Sequence, residues 1–115
     1  MARTHFSGPV APARGIEVGS SGSTIKAIKS GTVSVNPGTL AAGAETDISV
    51  TITGVAAGDV VSVMPTDAAA EAGLSVALVW VSAANTVKIR LSNLNAVAAL
   101  VGGAASWTYL WHDLT

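Results

Sequence analysis

Residues 45–53 read Glu-Thr-Asp-Ile-Ser-Val-Thr-Ile-Thr, and this stretch decides the fold class. Ile48, Val50 and Ile52 alternate there with an aspartate, a serine and two threonines. Successive side chains of a β-strand point to opposite faces of its sheet, so the alternation gives one apolar and one polar face. We therefore predict that residues 45–53 form a half-buried antiparallel strand.

Similar short segments lie on both sides of this strand. Further strands are predicted at residues 24–28, 32–35, 59–64, 74–81, 86–92 and 106–114. Turn residues separate them, as in Asn36-Pro37-Gly38, where proline cannot donate to a sheet and glycine accepts a turn. Strands about every 10–14 residues with such turns indicate an all-β fold, namely an antiparallel β-sandwich, a jelly-roll-like domain or a small barrel. One helical turn is predicted at residues 66–73.

Some of these segments carry more specific predictions. Ser30-Gly31 is read as the break between the first two strands. Residues 59–64 are apolar at both alternating positions, so both faces of that strand should be covered. The predicted strand at residues 74–81 pairs with residues 86–92 through a turn at residues 82–85. Its predicted common face carries Leu74, Val76, Leu78 and Trp80.

The chain contains unusually little charge. Asp, Glu, Lys and Arg make up 11% of its 115 residues, against about 25% in ordinary soluble domains. Small apolar and hydroxyl side chains must therefore cover much of the exterior, as expected when neighbouring subunits bury it. The net charge of −1 is scattered and offers no footprint for nucleic acid or anionic lipid. We expect an assembly subunit with no nucleic-acid and no membrane partner.

Residues 1–22 differ from the rest of the chain. Prolines and glycines interrupt any periodicity, yet the stretch contains Phe6, Ile16 and Val18. We interpret it as an extended N-terminal arm that folds onto a partner, followed by one β-sandwich domain at residues 23–115. The first ten residues contain no apolar stretch typical of a secretory signal, so we expect a protein made and used without Sec export.

Candidate catalytic residues are few. The chain has no cysteine, which excludes disulfides, thiolate metal sites and a cysteine nucleophile. His112 and Asp113 are the one adjacent acid–base pair, and neighbours on a strand point to opposite faces. The sequence contains no phosphate-binding loop and no hydrolase motif. We therefore expect that the protein is not an enzyme.

The remaining carboxylates do not indicate a metal site. Asp67 and Glu71 could share a cation on a helical turn, but two carboxylates fall well short of the six to eight oxygens that Ca²⁺ prefers. A helix cap is the better interpretation for them. Asp47 and Asp59 lie near strand starts, where solvation or turn hydrogen bonds explain them. No metal and no cofactor is expected.

Trp107, Tyr109 and Trp111 form an aromatic stripe at a spacing of two on the last strand. Such a stripe could stack against sugar rings. In a chain with 4% aromatic residues, three large rings on one strand favour a core or a subunit interface. The alternate positions of the strand are barely more polar, so the sequence does not tell which face is the inner one.

Much of the chain resembles small structural proteins of tailed bacteriophages that share a repeated domain pattern. The resemblance covers about residues 19–109 and rests on strand and turn residues, which carry a fold and not a specific site. The start of the arm, at residues 6–10, also looks like short phage head proteins. The matching segments are Gly19-Ser-Ser-Gly-Ser-Thr-Ile25, Gly31-Thr-Val-Ser-Val35, Asn36-Pro37, Leu40-Ala-Ala-Gly-Ala44, residues 48–54, Val55-Ala-Ala-Gly-Asp59, Glu71-Ala-Gly-Leu74, Val81-Ser-Ala-Ala-Asn-Thr-Val87, Arg90-Leu91 and Trp107-Thr-Tyr109.

The resemblance implies a capsid decoration (cement) protein of the virion, assembled in the host cytoplasm. A homotrimer on the outer surface of the head would bind junctions between major capsid protein subunits and stabilise the expanded shell. The expected capsid contacts lie in the arm, at Arg3, Phe6, Val10 and Arg14. The alternative is a head-fibre or tail-associated adhesin domain that binds host-surface carbohydrate.

Overall fold

The computed structural model describes residues 24–66 and 73–114. This part of the chain contains strands and no helix, which confirms the all-β fold class. The predicted arm and the predicted helical turn lie outside the described residues, apart from the ends of that turn at Thr66 and Gly73. The strands are β1 (Ala27–Val35), β2 (Thr39–Leu40), β3 (Glu45–Thr51), β4 (Val60–Pro65), β5 (Leu74–Ala83), β6 (Thr86–Asn93), β7 (Leu100–Val101) and β8 (Ala105–Asp113).

The strands form two antiparallel three-stranded sheets in a sandwich-like arrangement. One sheet has the order β1-β8-β4, the other has the order β3-β6-β5, and β2 pairs with β7 in a short ladder. Across the sandwich, β4 lies against β5 and β1 lies against β3. The strand predicted first, at residues 45–53, is the edge strand β3 and the loop that follows it.

The core lies between the two sheets and consists of valine, isoleucine, leucine and tryptophan. The central strand β6 supplies three of its fully buried side chains, and the others come from Val35 of β1 and from the loop residue Val55. The tryptophans of the central strand β8 are also buried. The predicted inward positions of residues 45–53 are confirmed, because Val50 and Ile52 are buried and Ile48 packs against the core. The buried cluster consists of Val35, Val50, Ile52, Val55, Val61, Val63, Val87, Ile89, Leu91, Trp107 and Trp111.

The predicted break at Ser30-Gly31 is wrong, because β1 runs through it without interruption. Gly31 lies opposite Tyr109 in the β1–β8 register. A Cβ atom at Gly31 would lie 2.6 Å from the Tyr109 hydroxyl oxygen and 2.8 Å from the adjoining ring carbon. The glycine therefore makes room for an aromatic ring from the neighbouring strand and does not form a turn.

The predicted single face of the fifth strand is also wrong. The register of β5 against β6 shifts between Val76 and Leu78, so Ala77 is an extra residue in a β-bulge. Before the bulge, Val76 lies opposite the buried Leu91, whereas after it Trp80 lies opposite the outward Lys88. By register, Leu74 and Val76 point to the inner side, where Leu74 packs on the core and Val76 is still 36% exposed, whereas Leu78 and Trp80 point outward.

The fourth strand is covered on one face and not on both, which corrects a third prediction. Val61 and Val63 are buried in the core. Val60 and Met64, by contrast, are 50% and 61% exposed. The apolar residues on the outer side of β4 therefore belong to a surface and not to the interior.

The predicted hairpin between β5 and β6 is confirmed, but its turn consists of Ala84 and Asn85, since Ser82 and Ala83 still belong to β5. Asn85 adopts the left-handed conformation with φ of 61°. Its side-chain oxygen accepts a hydrogen bond of 2.7 Å from the Gly54 amide, and its own amide donates to the Val55 carbonyl at 2.9 Å. The hairpin is therefore tied to the loop that follows β3.

A buried asparagine holds the end of the sandwich near the β2–β7 ladder. The Asn93 side-chain nitrogen lies 2.9 Å from the Ala98 carbonyl oxygen and 3.2 Å from those of Leu40 and Ala41. Its side-chain oxygen accepts a hydrogen bond of 2.9 Å from the Asn95 amide. One polar side chain thus satisfies backbone groups of two connections that lack regular pairing.

A buried carboxylate ties the loop before β4 to the end of β8. Asp59 is 9% exposed, and its Oδ2 accepts hydrogen bonds of 3.0 Å from the Ala56 amide and from Trp111 Nε1. Its Oδ1 accepts a hydrogen bond of 2.9 Å from the Leu114 amide. The turn hydrogen bond expected for Asp59 is confirmed by its contact with the Ala56 amide. The expected solvation of its charge is wrong, because the carboxylate is buried. Its other two partners are Trp111 of β8 and Leu114, the residue after that strand.

We predict that Asp59→Asn lowers the free energy of unfolding by about 2 kcal/mol, because the amide loses a charged acceptor and cannot satisfy all three donors. Chemical denaturation followed by tryptophan fluorescence measures the change. Asp47→Asn is the matched control, since that carboxylate is solvent-exposed, and its effect should be much smaller. Equal losses for the two variants would contradict the structural role of Asp59.

Candidate interaction faces

The aromatic stripe of the last strand lies on the inner face of the β1-β8-β4 sheet. Trp107 and Trp111 are each 3% exposed, and Tyr109 is partly buried against the core. These rings are therefore enclosed by the described domain and do not form a platform for a ligand in solvent. Tertiary contacts answer the question that the sequence left open, namely which face of this strand is the inner one.

The outer face of the β1-β8-β4 sheet carries no charged side chain, and we call it the neutral face. Leu110 lies at its centre, between Ser30 and Ser62 in the strand register. Large apolar side chains lie around this centre and are about half exposed. The neutral face consists of Ile28, Ser30, Thr32, Ser34, Val60, Ser62, Met64, Ser106, Thr108, Leu110 and His112.

His112 lies on the neutral face, between Ile28 and Val60 in the register. Its Nδ1 atom is buried and has no hydrogen-bond partner. Asp113 is paired with Ala27 and alternates to the opposite side of the strand. The two residues therefore do not form a hydrogen-bonded acid–base pair.

The outer face of the β3-β6-β5 sheet has a different chemistry, and we call it the mixed-charge face. Asp47 and Arg90 form a two-point ion pair, with Nε to Oδ1 at 2.8 Å and Nη2 to Oδ2 at 3.2 Å. The Arg90 guanidinium carbon lies 5.3 Å from the ring centroid of Trp80, a cation–π distance. The face consists of Glu45, Asp47, Ser49, Thr51, Ser75, Leu78, Trp80, Ala83, Thr86, Lys88, Arg90 and Ser92.

The ion pair shifts the pKa of both partners. The hydrogen bond from Arg90 holds the pKa of the Asp47 carboxyl below its ordinary value of 3.8, and the charges of Arg90 and Lys88 act in the same direction. The hydrogen bond to Asp47 raises the pKa of Arg90 above its ordinary value. Both groups are therefore ionised at neutral pH.

An open depression of about 570 Å³ lies beside this ion pair. Glu45, Thr46, Asp47 and Arg90 line it. Ser92 donates a hydrogen bond of 3.3 Å to Glu45 Oε1, so the second carboxylate is also held in place. The depression combines two carboxylates, a hydroxyl and a guanidinium at the edge of a sheet.

Metal ligands and membrane-spanning helices are the remaining features sought in the described part of the chain. Residues 24–66 and 73–114 contain no group of three or more potential metal ligands. The same residues contain no helix that could cross a membrane. Asp67, Glu71 and the predicted capsid contacts Arg3, Phe6, Val10 and Arg14 lie outside the described residues.

Trp80 is the functional candidate that the sequence interpretation missed. Its spacing from Leu74 and Val76 suggested a shared apolar face, and no local sequence signal indicates the bulge at Ala77. The alternation of Asp47 and Arg90 with apolar neighbours did indicate outward positions for both. Their mutual contact depends on the pairing of β3 with β6, which the sequence did not specify.

We predict that Arg90→Gln raises the pKa of Asp47 toward 3.8, measured by NMR titration of the side-chain carboxyl. Because the folded-state pKa is lowered, the stabilisation from this pair is present above the unfolded-state pKa and is lost as the pH falls through the folded-state value. Lys88→Gln is the control and should cause a smaller rise, since Lys88 makes the weakest contribution. An unchanged Asp47 pKa in Arg90→Gln would contradict the ion pair.

Comparisons with known proteins do not assign the chain to a family. No family model, no curated protein and no solved structure matches it.

Proposed function

We propose that the protein is a capsid decoration protein of a tailed bacteriophage. In this proposal it binds the outer surface of the head at junctions between major capsid protein subunits and stabilises the expanded shell. The neutral face and the N-terminal arm are the contact surfaces, and the assembled form is a homotrimer within the virion. The protein acts by binding and not by catalysis.

The single observation that carries the proposal is the neutral face. Ile28, Val60, Met64 and Leu110 are between 42% and 61% exposed on one sheet surface that contains no Asp, Glu, Lys or Arg. Contiguous exposed apolar surface marks protein–protein contact, and the buried centre of an interface is depleted of charged residues. The charged side chains of the strands lie mainly on the other sheet, so the protein presents two chemically different sides.

The size of the neutral face supports repeated, shared contacts. Three strands about 4.8 Å apart and six residues at about 3.3 Å each give a footprint of roughly 300 Å². A stable interface buries about 800 Å² on each partner. One neutral face is therefore too small to hold the protein alone, and the proposed arm contacts supply the remaining area.

Stabilisation of a shell follows from mass action. A ligand that binds only the assembled state adds RT ln(1 + [L]/Kd), about 2.7 kcal/mol for each site at a hundredfold excess over Kd. Linked contacts on one protein also raise the effective concentration of the second contact once the first has formed. Modest individual contacts, repeated around the head, suffice for the proposed function.

The adhesin alternative was based on exposed aromatic rings and on loop hydroxyls, and two of those rings are not exposed. Trp107 and Trp111 are in the core, so the aromatic stripe cannot bind host carbohydrate. Binding to host envelopes without binding to heads would nevertheless favour that alternative over the proposed function.

We predict that Leu110→Glu weakens binding to expanded empty heads by about tenfold or more, because a carboxylate at the centre of an apolar contact loses its hydration without gaining a partner. Co-sedimentation of the protein with heads measures the bound fraction. Leu78→Glu is the matched control, since Leu78 is an exposed leucine of the other sheet, and it should bind as the unaltered protein does. Unchanged binding of Leu110→Glu would exclude the neutral face.

We predict that deletion of residues 1–22 abolishes head binding while the β-domain stays folded, because the neutral face alone is too small for stable attachment. Co-sedimentation measures binding, and circular dichroism with thermal unfolding verifies the fold. Full binding by the shortened protein would refute the contact role of Arg3, Phe6, Val10 and Arg14.

A further inference from the structure

Trp80 lies on the outer face of the β3-β6-β5 sheet. The bulge at Ala77 reverses the direction of the side chains that follow it, so Val79 faces the core and Trp80 faces outward. Trp80 remains partly exposed, unlike the other two tryptophans of the chain. Bulges often re-aim a side chain at a binding site, and a tryptophan on an open sheet surface presents a large apolar ring to a partner.

Polar groups suited to hydroxyl recognition are held in place on the same sheet face, with Arg90 at the ring and Glu45 further along the strands. Asp47 and Arg90 fix one another through two hydrogen bonds, and Ser92 holds Glu45. Their side chains therefore lose little conformational freedom when a ligand binds. The open depression of about 570 Å³ is lined by Glu45, Thr46, Asp47 and Arg90, and Trp80 lies outside its lining.

We propose that the mixed-charge face binds a polysaccharide of pyranose sugars. The C–H bonds on one side of a pyranose ring carry partial positive charge and suit the negative face of the Trp80 indole that Arg90 does not cover. Neighbouring hydroxyls donate to the carboxylates of Asp47 and Glu45 and accept from the Arg90 guanidinium, which are charge-assisted hydrogen bonds. Glu45 lies two strands across and four residues along from Trp80, so an oligosaccharide laid diagonally over β3, β6 and β5 spans about 16 Å to reach all of these groups.

The glycan proposal does not depend on attachment of the protein to heads. The two sheets pack through their inner faces, so their outer faces point in opposite directions. A protein attached through its neutral face therefore exposes its mixed-charge face to the medium. The two proposals assign different sheets to different partners and can fail separately.

The test uses the full chain and four soluble hexasaccharides: cellohexaose, maltohexaose, chitohexaose and mannohexaose. Because the rings of Trp107 and Trp111 are buried, a change in tryptophan emission reports on Trp80. We expect a saturable change with at least one hexasaccharide, at a Kd of about 1 mM or lower. Isothermal titration calorimetry gives the affinities of the variants.

Trp80→Ala should weaken binding by about tenfold or more, as expected for a central aromatic contact. Trp80→Phe should retain part of the affinity because it keeps an aromatic face. Leu110→Glu, on the opposite sheet, should bind the sugar as the unaltered protein does while losing head binding. Binding of none of the four hexasaccharides, or equal affinity of Trp80→Ala and the unaltered protein, would overturn the proposal and leave the ring a purely structural partner of Arg90.

Discussion

The hydrogen bond between the Trp111 indole and the Asp59 carboxylate is the interaction on which the closed sandwich depends. Trp111 fills the core from the central strand β8, and a buried indole nitrogen requires an acceptor. Asp59 supplies that acceptor and also binds the Ala56 and Leu114 amides. The same carboxylate thus closes the turn before β4 and anchors the end of β8, and Gly54 leaves space for the Trp111 ring beside it.

Once the two sheets are closed, their outer faces are free to differ. The neutral face has apolar and hydroxyl side chains, whereas the mixed-charge face concentrates Asp47, Lys88 and Arg90. Charge is scarce in the chain and is concentrated on the mixed-charge face. The neutral face therefore loses little hydration when a protein surface covers it. The division of function proposed here, particle contact on one sheet and sugar on the other, follows from that asymmetry.

The bulge at Ala77 decides which side chains of β5 face the core and which lie on the mixed-charge face. Val79 and Val81 occupy the inward positions opposite β6, in a core that already contains two tryptophans. The larger Leu78 and Trp80 are consequently placed outside, where Arg90 lies over the Trp80 ring. The register shift at Ala77 therefore places the Trp80 ring on the outer face of the sheet.

The sequence by itself determined the all-β class, the half-buried strand at residues 45–53 and the hairpin turn at Asn85, because alternation and turn chemistry act between near neighbours. It also identified the aromatic stripe of the last strand, but not the face that the stripe occupies. Only the tertiary structure decided that Gly31 accommodates Tyr109 and that Asp59 is buried against Trp111. The bulge that turns Trp80 outward was likewise decided there. Each of these depends on a partner strand, often distant along the chain, whose register no local pattern specifies.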